Sequence, residues 1–173
     1  QLKMVNMADK TNVIRLLDSR RIAYRVHHWT FVASQHAAGD VAEQLGLPPA
    51  QVFKTLVVLP AITSAKPILA IIAGDREVDL KKLAAAAGAK KLAMATQREA
   101  EALTGLQVGG ISALALLNRG FRIYLDAAAN AWETIVVSAG QRGLSVEVSV
   151  PDLVKLLNAR VADVSRLPDE PAH

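Results

Sequence analysis

The sequence predicts an α+β protein in one domain, built on a mainly antiparallel or mixed sheet. Three observations carry this. Residues 52–59 and 67–73 are runs of β-branched and large apolar residues closed or opened by proline, the pattern of interior strands. Several shorter stretches repeat apolar residues at helical spacing between a capping residue and a glycine, cation or turn. No repeat, linker or compositional break divides the chain.

Taken in order, Thr11 caps a helix whose stripe is Val13, Ile14, Leu16 and Leu17, closed by Arg20 and Arg21 at the negative end of its dipole. Residues 23–28 read as a short strand. Ser34 is positioned to cap a second helix, about 35–45, stopped by Gly46. Pro48 and Pro49 force a turn into the strand 52–59. Strand 67–73 is its expected antiparallel partner. Asp79 caps a helix over 80–87 with Gly88 as its stop, residues 92–94 form a brief strand, and Thr96 with Glu99 makes a capping box for a helix ending at Gly105. Residues 121–125 and 134–138 read as strands. Residues 139–143 are a hairpin-type connection to 144–148. Pro151 suits the first turn of a last helix, 161–164 is a weak final strand, and 168–173 is a tail.

The 173 residues suffice for a substantial core. That core is aliphatic, because 51% of residues are hydrophobic and only 4% are aromatic. The absence of cysteine excludes disulfides, thiolate metal sites and thiol nucleophiles, and makes the cytoplasm the default compartment. A net charge of +4 fits a polyanionic partner without establishing one. The longest uncharged run, 102–118, carries glycines and polar residues and is not read as a membrane span. No basic-then-apolar leader opens the chain, and Met4 and Met7 are candidate starts.

Side chains alternate along a strand, so Lys54 shares a face with Val52, Leu56 and Val58, opposite Phe53, Thr55, Val57 and Leu59. A lysine there is desolvated, paired, or aimed into a cleft; the ordinary alternative is an end-of-strand lysine that snorkels to water. Gly109 and Gly110 interrupt apolar sequence. They mark either a tight turn or a place where a ligand comes close to backbone N–H groups. Ser112 and Ser138 are weak polar candidates beside it. His27 and His28 point to opposite faces of a strand, and the histidines read as surface or capping groups. No nucleophile elbow, phosphate loop or zinc-protease motif is present, and neither a metal nor a cofactor is expected.

The order Phe53-Lys54-Thr55-Leu56, then Val108-Gly109-Gly110-Ile111-Ser112, then residues 137–144 is more specific than any single piece. It resembles the YbaK/EbsC family, relatives of the editing domain of bacterial prolyl-tRNA synthetases, and within it the Cys-tRNA(Pro) deacylase subgroup. The likeness runs from about Thr11 to Ser165, and the editing domain is placed at 9–166 with loose termini at 1–8 and 167–173. The resemblance implies a curved central sheet flanked by helices. It also implies trans-editing, the removal of a wrong amino acid from tRNA. It assigns Lys54 as the catalytic residue and Trp29, Phe53, Thr55, Gly109, Gly110, Ile111, Ser112, Ser138, Gly140 and Ser145 to substrate binding. Two positions depart from the family pattern: Ala113 stands where proline is usual, and Ser145 where aspartate is usual, with Glu147 on the same strand face two residues on.

An ester to a ribose hydroxyl is already activated, so positioning and charge stabilisation suffice without a strong protein nucleophile. Lys54 is then a fixed cation for the terminal phosphate or the ester oxygen, not a general base. Attack comes from water, a ribose hydroxyl, or, for a cysteinyl ester, its own thiol, giving a cyclised thiolactone. Lys81, Lys82, Lys90, Lys91 and Arg142 are the cations first assigned to tRNA, with Arg119 and Arg122 as further candidates; each is alternatively an ordinary solvated charge. The implied partners are mischarged tRNA, tRNA(Pro) foremost, and prolyl-tRNA synthetase. An Ala-tRNA(Pro) deacylase and a non-catalytic tRNA- or synthetase-binding module of the same fold are the rivals. A small-molecule esterase is disfavoured by the missing nucleophile system.

Overall fold

The computed structural model describes residues 11–171, so the termini expected to be loose fall outside the described residues over 1–8 and 172–173. Five helices and ten strands follow in the order α1 (Asn12–Ser19), β1 (Tyr24–His28), α2 (Ala38–Leu45), β2 (Phe53–Pro60), β3 (Ile68–Ala73), β4 (Glu77–Val78), α3 (Leu80–Ala87), β5 (Leu92–Met94), α4 (Gln97–Thr104), β6 (Arg122–Asp126), β7 (Thr134–Gln141), β8 (Leu144–Ser149), α5 (Val150–Leu157), β9 (Arg160–Ala162) and β10 (Ser165–Arg166). This is the expected α+β class with mixed pairing.

β2 and β3 pair antiparallel, with Lys54 opposite Ile72. β5 extends that sheet on the other side of β2, while β6 and β9 add to it in parallel. β1, β8 and β7 form a separate antiparallel sheet. The two sheets meet at one parallel bridge, Val52 to Val136, two residues before Lys54. Gly74 locks that junction. Its N–H donates to Val52 O at 2.8 Å and Pro49 O at 3.1 Å. A Cβ there would lie 2.9 Å from Pro49 O, too close for any other residue.

The alternation along β2 divides the core. Phe53 and Val57 join the main cluster with α1, β7 and the segment around Leu114 and Leu116. Val58 packs with Ile68, Ile72 and Leu83, under α3. Val52 packs with Trp29, Val41 and Val136, beside α2. Lys54 therefore falls on its strand face between the residue held by the α2 cluster and those held by the α3 cluster.

Most caps follow the local chemistry. Thr11, Asp79 and Thr96 each accept a backbone N–H at their helix starts, and Gly46, Gly88 and Gly105 close helices in left-handed geometry. Helix α2 is the exception: it begins at Ala38, not Gln35, and Ser34 does not cap it. Asp40 accepts the Ala37 N–H instead. The preceding residues are held elsewhere, by stacking of His36 on Phe31 (centroids 5.0 Å apart) and by the Gln44 side chain bonded to both backbone groups of Thr30. β7 also runs on to Gln141, leaving only Arg142 and Gly143 as the turn, because a bulge after Ser138 absorbs the extra residues. The strand expected at 161–164 sits earlier, at Arg160–Ala162, paired with β6, and a further short strand, β10, follows it and pairs antiparallel with β4.

A polar chain braces the junction between sheets. Glu147 Oε2 accepts the Thr134 hydroxyl at 2.7 Å, and Glu147 Oε1 lies 2.8 Å from His27 Nε2. Gln51 Nε2 donates to Thr134 O at 3.1 Å. Burial pushes the Glu147 carboxyl up, but hydrogen bonds from Thr134 and His27 and the charges of His27 and Arg25 outweigh it, so the net shift is downward. With the folded value below the unfolded one, Glu147 contributes stability in full above about pH 4.3 and loses it as pH falls through the folded value. Thermal melts should therefore show wild type above Glu147→Gln at pH 7, with the gap narrowing towards pH 3. A gap independent of pH would contradict this role.

Candidate active site

Four segments converge at the start of β2. The bridge to β7 fixes Val52, and Phe53, Lys54 and Thr55 follow as the strand separates from the junction. Trp29 leaves β1 with its N–H on Gly143 O at 3.0 Å and its indole Nε1–H donated to Ser145 Oγ at 3.2 Å. The loop 105–117 brings Val108, Gly109 and Ile111. The β7–β8 hairpin brings Ser138 and Ser145, which face each other in register.

These segments surround a cavity of about 370 Å³ bordered by Trp29, Phe53, Lys54, Thr55, Gly109, Ile111, Ser138 and Ser145. The other three residues expected to bind substrate, Gly110, Ser112 and Gly140, do not line it; they hold its walls. Gly110 lies against the hairpin turn, where a Cβ would be 3.0 Å from Arg142 N and from Gln141 C. Ser112 is buried and its Oγ accepts the Ala115 N–H at 3.3 Å, tightening the loop at the position where the family pattern would put proline. Gly140 occupies the bulge with φ +94°, and its N–H donates to Ser138 Oγ.

Lys54 is half-buried and makes no hydrogen bond or ion pair within reach among the described residues. Burial pushes its ammonium below the ordinary lysine range, and the charges of Glu77 and Asp75 pull partly back. The shift is downward, where the sequence reading required none. It leaves an ammonium that is costly to keep dry and therefore receptive to an anionic or carbonyl oxygen.

The expected tRNA cations divide. Lys81, Lys90 and Lys91 are exposed on and after α3. Lys82 is engaged inside the fold, with Nζ on both Asp163 carboxylate oxygens at 3.2 Å and on Ser165 O at 3.0 Å. Arg142 is similarly occupied: its guanidinium lies 4.0 Å from the centre of the Phe31 ring, and its Nε donates to Val108 O at 2.9 Å. It thereby ties the hairpin turn to the pocket loop. Glu147, considered as a substitute for the missing aspartate, is bound by His27 and Thr134 and does not border the cavity.

Sequence reasoning missed His36, which borders the cavity and is half-buried, with Nδ1 shielded and unpartnered. It also missed Met94, Ala95 and Val136, apolar residues with no local signal beyond core character. Among the described residues no group of three or more acidic or histidine side chains could hold a metal ion, and no helix is long and apolar enough to cross a membrane.

Comparison with known proteins adds four findings. The sequence profile of the aminoacyl-tRNA editing domain matches residues 33–156. The chain is 35% identical over 156 residues, 90% of its length and 93% of the relative's, to an Enterococcus faecalis protein named "Putative Cys-tRNA(Pro)/Cys-tRNA(Cys) deacylase EbsC". It is 36% identical over 74 residues to a proline–tRNA ligase of Nitratidesulfovibrio vulgaris, a match covering 43% of the chain and 12% of the ligase. Among solved structures, hypothetical protein APE2540 superposes with a TM-score of 0.79 at 25% identity, over 89% of this chain and 99% of that one.

Proposed function

The chain belongs to the aminoacyl-tRNA editing domain family, in its YbaK/EbsC group, and from that premise we propose that it is a trans-editing deacylase. Its substrate is a tRNA carrying a wrong small amino acid, with Cys-tRNA(Pro) first and Ala-tRNA(Pro) second. The observation that supports this best is Lys54: a half-buried ammonium with no hydrogen-bond or ion-pair partner among the described residues, at a mostly apolar cavity that the glycine loop also borders.

Such a site acts by placement and charge. Lys54 holds the phosphate of the terminal nucleotide or the ester oxygen, and the cavity receives the aminoacyl side chain. A space of about 370 Å³ is larger than any single side chain, so selection by size requires the terminal nucleotide to fill part of it, leaving a smaller recess bordered by Trp29, Phe53 and Ile111 for the aminoacyl group. The chain contains no cysteine. The nucleophile is therefore a water, a ribose hydroxyl or the thiol of a cysteinyl substrate, which leaves as a thiolactone while the ribose oxygen takes the proton. The exposed Lys81, Lys90 and Lys91 supply weak, salt-sensitive contact to the tRNA body, and prolyl-tRNA synthetase supplies acceptor selectivity in the cytoplasm.

The purified protein, offered Cys-tRNA(Pro), Ala-tRNA(Pro) and Pro-tRNA(Pro), should discharge a mischarged species and spare Pro-tRNA(Pro). The fate of the released group, free cysteine or thiolactone, separates hydrolysis from cyclisation. No discharge of any species, with and without prolyl-tRNA synthetase, rejects the enzyme and leaves a binding module.

A further inference from the structure

Strand β2 carries a short length of unpaired backbone at Lys54. On one edge it pairs with β3 throughout residues 53–58. On the opposite edge the bridge from Val52 to Val136 ends the pairing with β7, and β5 pairs only with residues 58–60. Residues 54–56 have no strand partner on that edge among the described residues. The cavity lies against this interval. Val136 and Ser138 of β7 border it, as do Met94 and Ala95 at the end of β5, together with Lys54 and Thr55 from the stretch of β2 between the two contacts.

The direction of each backbone group follows from the alternation of an antiparallel ladder. Gly74 N–H donates to Val52 O at 2.8 Å, so Lys54 and Leu56, opposite Ile72 and Ala70, also turn their N–H and C=O groups to β3. The odd-numbered residues turn theirs the other way. Ala95 N–H donates to Val57 O at 3.0 Å, and just past the strand Ala61 N–H donates to Lys91 O at 3.1 Å, which gives the same phase from the other edge. At the centre of the interval Thr55 turns both its N–H and its C=O to the cavity edge, and neither has a hydrogen-bond partner there among the described residues.

A strand edge of this kind accepts a further extended chain, but here the contacts at either end limit its length. Three residues span only ~10 Å, which excludes a peptide strand of ordinary length. A single aminoacyl unit fits. It carries a donor on its α-amine and an acceptor on its acyl carbonyl, spaced as the N–H and C=O of one residue. Set antiparallel to Thr55, it exchanges two hydrogen bonds with that residue, as the partners of a hydrogen-bonded pair do. Lys54 stands one residue away on the same strand.

We propose that the backbone of Thr55 recognises the main chain of the aminoacyl group: Thr55 C=O accepts an N–H of the α-amine, and Thr55 N–H donates to the acyl carbonyl. The proposal rests on the aminoacyl-tRNA reading above and deepens it. The substrate is held as an α-amino acyl group through atoms that every amino acid shares, which leaves its side chain to the cavity walls.

The test uses the full chain, isotope-labelled for NMR, and two non-hydrolysable probes, 3′-deoxy-3′-(alanylamino)adenosine and its propionyl counterpart, which keeps the acyl carbonyl and lacks the amine. In the free protein the Thr55 amide should exchange with solvent about 10-fold or more faster than the amides of Lys54 and Leu56, which are bonded to β3. Saturation with the alanyl compound should slow exchange at Thr55 about 10-fold and leave Lys54 and Leu56 as they were. The propionyl compound should bind about 10-fold more weakly, for the loss of one hydrogen bond. Thr55→Pro removes the N–H from an open strand edge, where proline is tolerated, and should bind the alanyl compound about 10-fold more weakly than Thr55→Val, which keeps it. Should Thr55→Pro fail to fold, exchange in the wild-type chain decides. A Thr55 amide already protected in the free protein, no change at Thr55 on adding the alanyl compound, or equal affinity for the two probes overturns the proposal. If any of these accompanies discharge of Cys- or Ala-tRNA(Pro), the deacylase reading stands and only this inference falls; absence of both binding and discharge removes both.

Discussion

Lys54→Ala is expected to lower discharge of the mischarged tRNA by about 10²–10³-fold, the loss typical of removing one preorganised charge-stabilising group. The melting temperature should stay level or rise, because the variant removes a half-buried ammonium that has no hydrogen-bonded or ion-paired partner among the described residues. Lys54→Arg keeps the charge but exchanges a compact ammonium for a broad planar fork, and should restore only a small part of the rate. Since burial lowers the pKa of Lys54, activity should fall off on the alkaline side before an ordinary lysine would lose its proton. That descending limb should be missing from the residual activity of Lys54→Ala. Undiminished discharge by Lys54→Ala would move the centre elsewhere.

Gly110→Ala should damage both the fold and the site. Its Cβ would meet the backbone of Gln141 and Arg142 at 3.0–3.1 Å, and backbone cannot swing aside as a side-chain end can. Either the pocket loop or the β7–β8 turn must shift, at a cost of about 1–3 kcal/mol. Arg142 is bonded to Val108 O, and Val108 and Gly109 border the cavity, so the displacement reaches the cavity wall. The expected result is a fall in kcat/KM of about 100-fold, as for ångström-scale misplacement of a bound substrate, together with a lower Tm. Gly39→Ala, in helix α2 where a Cβ meets nothing within 4 Å, is the control and should leave the rate unchanged and the Tm level or higher. A Gly110→Ala enzyme with normal stability and rate would show that the close approach has no bearing on the site.

Much of the fold was legible because its determinants are local. Thr11, Asp79 and Thr96 cap helices through atoms three residues away, and Gly46, Gly88 and Gly105 stop them through their own backbone freedom. The alternation on β2 separated the residues of two cores correctly, since it depends only on the pleat. The start of α2 was not legible: Ser34 has the right chemistry for a cap, but the contact between Phe31 and His36 precedes the helix and settles where it begins.

The sequence by itself determined the kinds of group available: one lysine set in an apolar strand, a glycine pair, serines on a hairpin, and no cysteine. Only the tertiary structure decided which of them remain free to act. Lys82 and Arg142 look as available as Lys81 in the sequence, yet both are bound within the fold, whereas Lys54 has no hydrogen-bond or ion-pair partner among the described residues. Likewise His36, an ordinary surface histidine by its neighbours in the chain, borders the cavity, while its Nδ1 is buried without a hydrogen-bond partner among the described residues. The physical reason is that a residue's chemistry is carried by its own atoms. Whether its donors, acceptors and charge are already satisfied depends on partners far along the chain, which only packing brings within hydrogen-bond distance.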